Sequence, residues 1–165
     1  MSNTLFETEV SDAVRRALAE DIGSGDLTAA LIPESEVAEA QVISREAAVL
    51  CGTAWFDAVF HELSRAVKIA WRVRDGECTA AGQAVCTLRG QARVLLAGER
   101  TALNFLQTLS GTATVARRYA DAVRGTDVKV LDTRKTLPGL RHAQKYAVRC
   151  GGCYNHRMGL YDGVL

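Results

Sequence analysis

The chain has 165 residues, of which 48% are hydrophobic and 24% are charged, and its formal net charge is +1. This balance is typical of a globular protein with a buried core, and it excludes binding of nucleic acid or anionic membranes through bulk positive charge. No apolar run approaches the roughly 20 residues of a membrane span, and residues 1–10 lack the basic head and apolar core of a signal peptide, so we expect a cytoplasmic protein.

The first half of the chain predicts an α+β arrangement. Residues 10–20 carry apolar side chains on one helical face, and a second helix is predicted over 54–63. Strand patterns occupy 37–51, 67–74 and 83–88, with turn residues between them. Helices therefore pack against an antiparallel sheet.

The strongest helical pattern covers residues 94–109, where leucines recur at spacings of seven and three. Gly111 is expected to interrupt this helix before a second one that ends at residue 124.

The remaining residues predict a parallel β-α-β unit. A compact apolar strand covers 127–132, Pro138 suits the first turn of a helix that ends near residue 150, and a second strand-like run reaches 164–165. A complete barrel of such units takes about 250 residues, so we expect the chain to end inside the second strand of an incomplete one.

Cationic side chains form a candidate site at three places in the sequence. Arg100 lies in the strong helix, Thr133, Arg134 and Lys135 directly follow the predicted strand, and His156 and Arg157 stand near the second one. The carboxyl ends of parallel strands are where ligands bind, and arginine and lysine suit carboxylates and phosphates. Ordinary solvated surface cations would produce the same composition, so both interpretations stay open at this point.

The five cysteines are predicted to be reduced thiols without a structural disulfide. Cys150, Cys153 and His156 form a C-x2-C-x2-H string that would suit zinc or redox chemistry, but no second ligand pair has the right spacing nearby. We interpret the string as a glycine-rich turn and expect no structural metal there. Motifs of serine hydrolases, P-loop NTPases and dinucleotide oxidoreductases are absent from the sequence.

Four strings in order resemble the quinolinate phosphoribosyltransferase family, the carboxylating nicotinate-nucleotide pyrophosphorylases. They are ALAEDIGSGDLT (17–28), GERTALNFLQTLSGTAT (98–114), LDTRKTLPGLR (131–141) and KYAVRCGGCYNHRMGLYDGVL (145–165). The resemblance implies an N-terminal α+β sandwich domain over 1–110, with a linking helix, followed by the beginning of an α/β barrel over 111–165. It also implies a homodimer that transfers phosphoribose from phosphoribosyl pyrophosphate to quinolinate, with Mg²⁺, giving nicotinate mononucleotide, pyrophosphate and CO2 in NAD biosynthesis.

The resemblance also assigns roles to individual residues. Arg134 and Arg157 correspond to the arginines that hold the quinolinate carboxylates, His156 and Thr133 to residues of the same pocket, and Lys135 to the lysine at the phosphoribosyl pyrophosphate end. Lys135 and His156 are the implied catalytic residues. Arg100 corresponds to the arginine that reaches the neighbouring subunit's site, so each site would be shared across the dimer.

Several parts of the family's site are expected outside this sequence. The resemblance places the Mg²⁺ ligands and the phosphate-binding loops further along the barrel, so we expect the chain alone to have no transferase activity. Cys153 and Tyr154 stand where the family more often has smaller residues. Two alternatives stay open: a related phosphoribosyltransferase of the same fold with another acid substrate, and an inactive truncated subunit.

Overall fold

The computed structural model describes residues 3–164 and contains four α-helices, one 3-10 turn and five strands within that range. In chain order these are α1 (Asn3–Ile22), the 3-10 turn (Ala29–Leu31), β1 (Val37–Ile43), β2 (Ala48–Val49), α2 (Thr53–Leu63), β3 (Lys68–Trp71), β4 (Cys78–Thr79), β5 (Ala84–Gln91), α3 (Ala92–Ala122) and α4 (Arg141–Cys150).

The strands form two small antiparallel sheets. β5 lies between β1 and β3, with Val37 opposite Gln91 and Lys68 opposite Arg89, while β2 pairs only with β4. Val85 and Leu88 of β5 are buried in the core. The predicted α+β arrangement of helices on an antiparallel sheet is confirmed.

The core lies where α2 packs on α3. Trp55, Phe56 and Phe60 are almost fully buried on α2. Gly98 of α3 permits this approach, because a Cβ added there would lie 2.8 Å from Phe60 Cε1. The close approach of α2 and α3 at their crossing therefore requires a glycine at position 98.

Helix α3 continues through Gly111, so the predicted break at that residue is wrong. One glycine in a helix costs only about 1 kcal/mol relative to alanine. Buried Leu109 and Ala113 on either side keep the helix packed against the core, and that packing outweighs the glycine penalty. The predicted domain boundary at residues 110 and 111 lies inside this helix and stays a prediction.

The C-terminal part holds only a minimal parallel pairing. A single bridge joins Leu131 to Tyr154 in parallel on either side of α4, in place of the strands predicted over 127–132 and up to residue 164. Leu165 lies outside the described residues. Leu131 is half exposed, and one neighbouring chain segment does not stabilise a longer buried-type strand.

Helix α4 begins at Arg141 rather than at Pro138. Gly139 has a φ of +76° and the Leu140 N–H donates to the Leu137 carbonyl, so a turn occupies the positions predicted as the first helical turn. The two residues of the parallel bridge flank α4 in the sequence, which is the order of a β-α-β unit and is expected for the beginning of an α/β barrel. None of the helices within residues 3–164 is long and apolar enough to cross a membrane.

Candidate active site

Two neighbouring loops carry five of the six predicted site residues. Around the parallel bridge, the Tyr154 N–H donates to the Val130 carbonyl (2.9 Å) and the Asp132 N–H donates to the Tyr154 carbonyl (3.0 Å). The loops 132–137 and 155–158 therefore begin next to each other, at the bridge, and run in the same direction. The structure thus places the Thr133 to Lys135 run beside the His156–Arg157 pair, at the carboxyl edge where the sequence predicted a site.

A buried ion pair fixes the second loop to the first. Lys145 is 1% exposed, and its ammonium group donates to the carboxylate of Asp132 and to the His156 carbonyl (2.9 Å). The same Asp132 oxygen accepts from the His156 N–H at 2.8 Å. Both backbone polar groups of His156 are therefore held by one charge pair.

Asn155 completes this arrangement. In the amide orientation that matches its neighbours, its nitrogen donates to Asp132 Oδ2 at 3.0 Å and to the Lys145 carbonyl at 2.9 Å. Both carboxylate oxygens of Asp132 are then engaged.

Sequence reasoning missed Asp132, Lys145 and Asn155. Helical periodicity gave no signal for Lys145, because it lies two positions from each of the buried alanines Ala143 and Ala147, and residues two apart do not share a face of a helix.

Arg141 ties the two loops together a second time. Its Nε donates to Thr136 Oγ1 (3.2 Å), its Nη1 donates to the Met158 carbonyl (3.1 Å) and its Nη2 donates to the Arg134 carbonyl (3.5 Å). The loops that carry the candidate residues are therefore linked by a guanidinium group as well as by the ion pair.

Arg134 carries a donor without an acceptor. Its Nε is buried and has no hydrogen-bond partner among the described residues. Its neighbour Lys135 is exposed, and the Lys135 N–H donates to Thr133 Oγ1 at 3.0 Å, which shapes the loop. A buried guanidinium donor left unpaired favours an anionic ligand with an acceptor oxygen.

His156 and Arg157 are partly buried. The Arg157 N–H donates to His156 Nδ1 at 2.7 Å, so a neutral imidazole in this position carries its proton on Nε2. The Arg157 guanidinium donates to the Gly163 carbonyl. His156 thus presents a ring N–H as a donor, while the other guanidinium nitrogens of Arg157 have no acceptor within residues 3–164 and can serve a ligand.

Arg100 is exposed on α3, and within residues 3–164 its side chain has no hydrogen-bond or ion-pair partner. The structure places the other five predicted residues on two neighbouring loops, and within residues 3–164 no hydrogen bond or ion pair joins Arg100 to them. The implied role of Arg100 in a neighbouring subunit's site stays a prediction.

The C-x2-C-x2-H string does not converge. The Cys153 thiol donates to the Ala116 carbonyl, whereas Cys150 lies elsewhere beside Cys51. Gly151 is needed for close packing, since a Cβ there would lie 2.5 Å from the Ala113 carbonyl oxygen, and Gly152 has a φ of +93°. The two glycines therefore have the structural explanation given by the turn interpretation.

The clustered group of potential metal ligands within residues 3–164 does not suit Mg²⁺. Across residues 3–164, one group of three potential ligands has donor atoms close together, and it consists of Cys51, Asp75 and Cys150. Magnesium prefers oxygen ligands, and the Asp132 carboxylate is already engaged by Lys145 and the His156 N–H. No step of the chemistry is therefore assigned to a metal held by these residues.

Comparison with known proteins identifies the family. Residues 26–110 match the family model for the N-terminal domain of quinolinate phosphoribosyl transferase, and residues 112–165 match the model for its C-terminal domain. The chain belongs to the quinolinate phosphoribosyltransferase family. The predicted family is confirmed, as is the predicted fold class of an α+β domain followed by the start of a barrel domain.

Relatives of this family resemble the chain along nearly its whole length. The nicotinate-nucleotide pyrophosphorylase [carboxylating] of Mycobacterium leprae is 46% identical over 158 residues, which are 93% of this chain and 56% of the relative. The probable enzyme of the same name from Bacillus subtilis is 42% identical over 146 residues, 88% of this chain and 50% of the relative.

A solved structure shows the same fold. The nicotinate-nucleotide pyrophosphorylase from Francisella tularensis superposes with a TM-score of 0.91 at 44% identity, covering 95% of this chain and 56% of that one. The chain thus spans about half the length of the quinolinate phosphoribosyltransferase relatives that it matches.

Proposed function

We propose that this chain forms the quinolinate-binding part of an enzyme that transfers phosphoribose from phosphoribosyl pyrophosphate to quinolinate. The products would be nicotinate mononucleotide, pyrophosphate and CO2. The observation that carries the proposal is the buried, unpaired Nε of Arg134 in a loop beside His156 and Arg157. Membership of the family, and the names of the relatives from Mycobacterium leprae and Francisella tularensis, support the same reaction.

The two loops would bind and orient quinolinate. Its two carboxylates on adjacent ring carbons must leave water, and fixed cations offset that desolvation. Arg134 would place its Nε on one carboxylate oxygen, and Arg157 would place its free guanidinium nitrogens on the second carboxylate. Such bidentate contacts also fix the plane of the ring and therefore the direction of its nitrogen.

His156 and Thr133 would complete the pocket. The Nε2–H of His156 would donate to a carboxylate oxygen, and the ion pair of Lys145 with Asp132 keeps the His156 backbone in place. The ring nitrogen then attacks C1′ of the ribose as the bond to pyrophosphate breaks. No protein nucleophile is needed, in agreement with the absence of a nucleophile motif in the sequence.

Lys135 would act at the other end of the site. Its exposed ammonium group lies on the same loop as Arg134, and it would stabilise the negative charge that develops on the leaving pyrophosphate. Once alkylated, the pyridine nitrogen is cationic and stabilises the carbanion that forms when the adjacent carboxylate leaves as CO2.

Two further components would come from outside the described residues of this one subunit. Mg²⁺ would neutralise pyrophosphate charge, held by ligands other than the side chains described here. A second subunit of a homodimer would supply Arg100, whose exposed side chain is unpaired within the described part of the chain. Each site would then contain residues of both subunits.

A chimera tests the proposal. This chain replaces the matched 56% of the Francisella tularensis relative, and product formation is measured with quinolinate, phosphoribosyl pyrophosphate and Mg²⁺. We expect nicotinate mononucleotide from the chimera, none from the 165-residue chain alone, and poor use of nicotinate, which has one carboxylate.

Arg134→Lys in the chimera should weaken quinolinate binding by roughly ten- to a hundredfold, because one charged hydrogen bond is worth about 1.5–3 kcal/mol. The exposed Arg65→Lys serves as a matched control with no expected effect. A folded chimera that makes no product, or one that prefers nicotinate, contradicts the proposal.

A further inference from the structure

Three side chains that the proposed reaction does not use converge at one point of the fold. The thiol sulfurs of Cys51 and Cys150 and a carboxylate oxygen of Asp75 all lie within 4.8 Å of one another. Cys51 precedes α2, Asp75 lies between β3 and β4, and Cys150 ends α4. The fold therefore brings together residues from distant parts of the sequence.

The Asp75 carboxylate is oriented by two donors. The Thr53 N–H donates to Oδ1 at 3.2 Å, and the Tyr146 hydroxyl donates to Oδ2 at 2.9 Å. Hydrogen bonds of this kind hold the ligating carboxylates of metal sites in position.

Both cysteines are held by their backbones. Cys51 is 0% exposed, its N–H donates to Ser110 Oγ (3.0 Å), and the Ser110 hydroxyl donates back to its carbonyl (3.1 Å). The Arg117 guanidinium donates to the carbonyl of Cys150 at 3.3 Å. Cys150 itself is partly exposed.

The two thiols also influence each other's ionisation. The hydrogen bond between them raises the pKa of Cys51, where burial adds to the effect, and lowers the pKa of Cys150. The negative charge of Asp75 raises both values as a smaller effect. The three donor atoms lie close enough together for one cation to contact all of them.

We propose that Cys51, Asp75 and Cys150 bind a thiophilic divalent cation of the Zn²⁺ type. Thiolate ligands select zinc over magnesium or calcium, and zinc accepts two sulfurs, one carboxylate and a water in a tetrahedron. With Zn–S bonds of about 2.3 Å, ligating sulfurs lie about 3.8 Å apart, so the donors need to move by no more than about 1 Å.

The site would have a structural role. Neither candidate-site loop contributes a ligand, and the bound ion would connect the end of α4 to the segments around α2 and β4. Its binding would stabilise the fold, because an ion that binds only the folded chain raises the unfolding temperature. This inference is independent of the proposed transferase function.

Cobalt provides the test. The reduced, metal-free 165-residue chain is titrated with Co²⁺, and thiolate-to-cobalt charge-transfer absorption and the unfolding temperature are recorded. We expect one equivalent bound, a rise in unfolding temperature, and displacement of the absorption by Zn²⁺.

Variants assign the ligands. Cys51→Ser and Cys150→Ser should each lose most of the charge-transfer absorption, whereas the exposed Cys78→Ser should behave as the parent chain. Tyr146→Phe should bind about ten- to a hundredfold more weakly, because it removes one of the two hydrogen bonds that orient the Asp75 carboxylate. Circular dichroism of each variant separates loss of a ligand from loss of the fold. Cys150→Ser changes a partly exposed residue, so we expect this variant to fold even if Cys51→Ser does not.

The proposal is overturned if the parent chain shows no charge-transfer absorption, if folded Cys150→Ser retains it in full, or if Cys78→Ser abolishes it. A Cys51–Cys150 disulfide that persists under reductant and excludes cobalt also overturns it.

Discussion

Replacement of Lys145 by methionine tests whether the buried ion pair holds the two candidate-site loops together. The change preserves the length and much of the volume of the side chain but removes its charge. Asp132, whose side chain is 6% exposed, would stay buried with no cationic partner. The two hydrogen bonds from Lys145, to the Asp132 carboxylate and to the His156 carbonyl, would be lost.

The expected loss of unfolding free energy is about 3–5 kcal/mol, the usual effect of removing one member of a buried pair. Two charged hydrogen bonds at about 1.5–3 kcal/mol each give a similar sum. Because a domain is stable by only about 5–15 kcal/mol, the urea midpoint should fall strongly.

Urea denaturation followed by circular dichroism measures this loss, with the exposed Lys68→Met as the matched control. Asp132→Asn, whose amide oxygen still accepts from the His156 N–H, completes a double-mutant cycle. We expect a coupling energy of about 0.5–3 kcal/mol between the two sites. A loss below about 1 kcal/mol for Lys145→Met, at the level of a surface substitution, would refute the reasoning.

Three further predictions concern other parts of the chain. Gly98→Ala should destabilise the fold by about 1–3 kcal/mol, because its Cβ would meet the Phe60 ring. Gly111→Ala, with open space around its Cβ, should stabilise the fold by about 0.4–1 kcal/mol. Calorimetry that ranks the two variants in the opposite order contradicts this packing. Burial raises the pKa of Asp57 above its ordinary value of 3.8, so the wild type should lose stability as pH rises from 3.8 through that raised pKa. Asp57→Asn, which still accepts from Trp71 Nε1, should lack this loss, and equal pH profiles in urea titrations would show the carboxyl to be irrelevant. In the chimera, a heterodimer of one Arg100→Ala subunit and one Arg157→Ala subunit should regain about half the activity per dimer, because both changes then fall in one of the two sites and the other site is intact. Verified heterodimers without activity would show that Arg100 does not act across the interface.

The sequence predicted local elements well where their own pattern decides them. The apolar face of α2 placed that helix at 54–63, and the structure has Thr53–Leu63. The same approach failed at Gly111, because propensity favours a break there while burial of Leu109 and Ala113 keeps the helix intact. It also failed at 127–132, because a parallel strand needs neighbours that the pattern of one segment does not reveal.

The candidate site was predicted in outline but not in its supporting contacts. Strand ends and cationic side chains placed Arg134 and Arg157 on neighbouring loops. The pairing of Lys145 with Asp132 depends on how α4 folds back across the bridge, and the cluster of Cys51 with Cys150 depends on contacts between distant segments. No spacing rule for nearby residues encodes such contacts.

The continuity of α3 sets limits on how the molecule moves. A helix of 31 residues is about 46 Å long and carries Arg100 near its first turns and the packing surface of α4 further along. Bending at residues 110 and 111 would break hydrogen bonds in the middle of that helix, so the boundary between the two family domains is not a hinge. Joint motion of the linked loops 132–137 and 155–158 relative to α3 should instead originate in the segment 123–130, which has no helix or strand of its own. Amide hydrogen exchange should then be slow at 108–114, where opening requires global unfolding, and fast at 123–130.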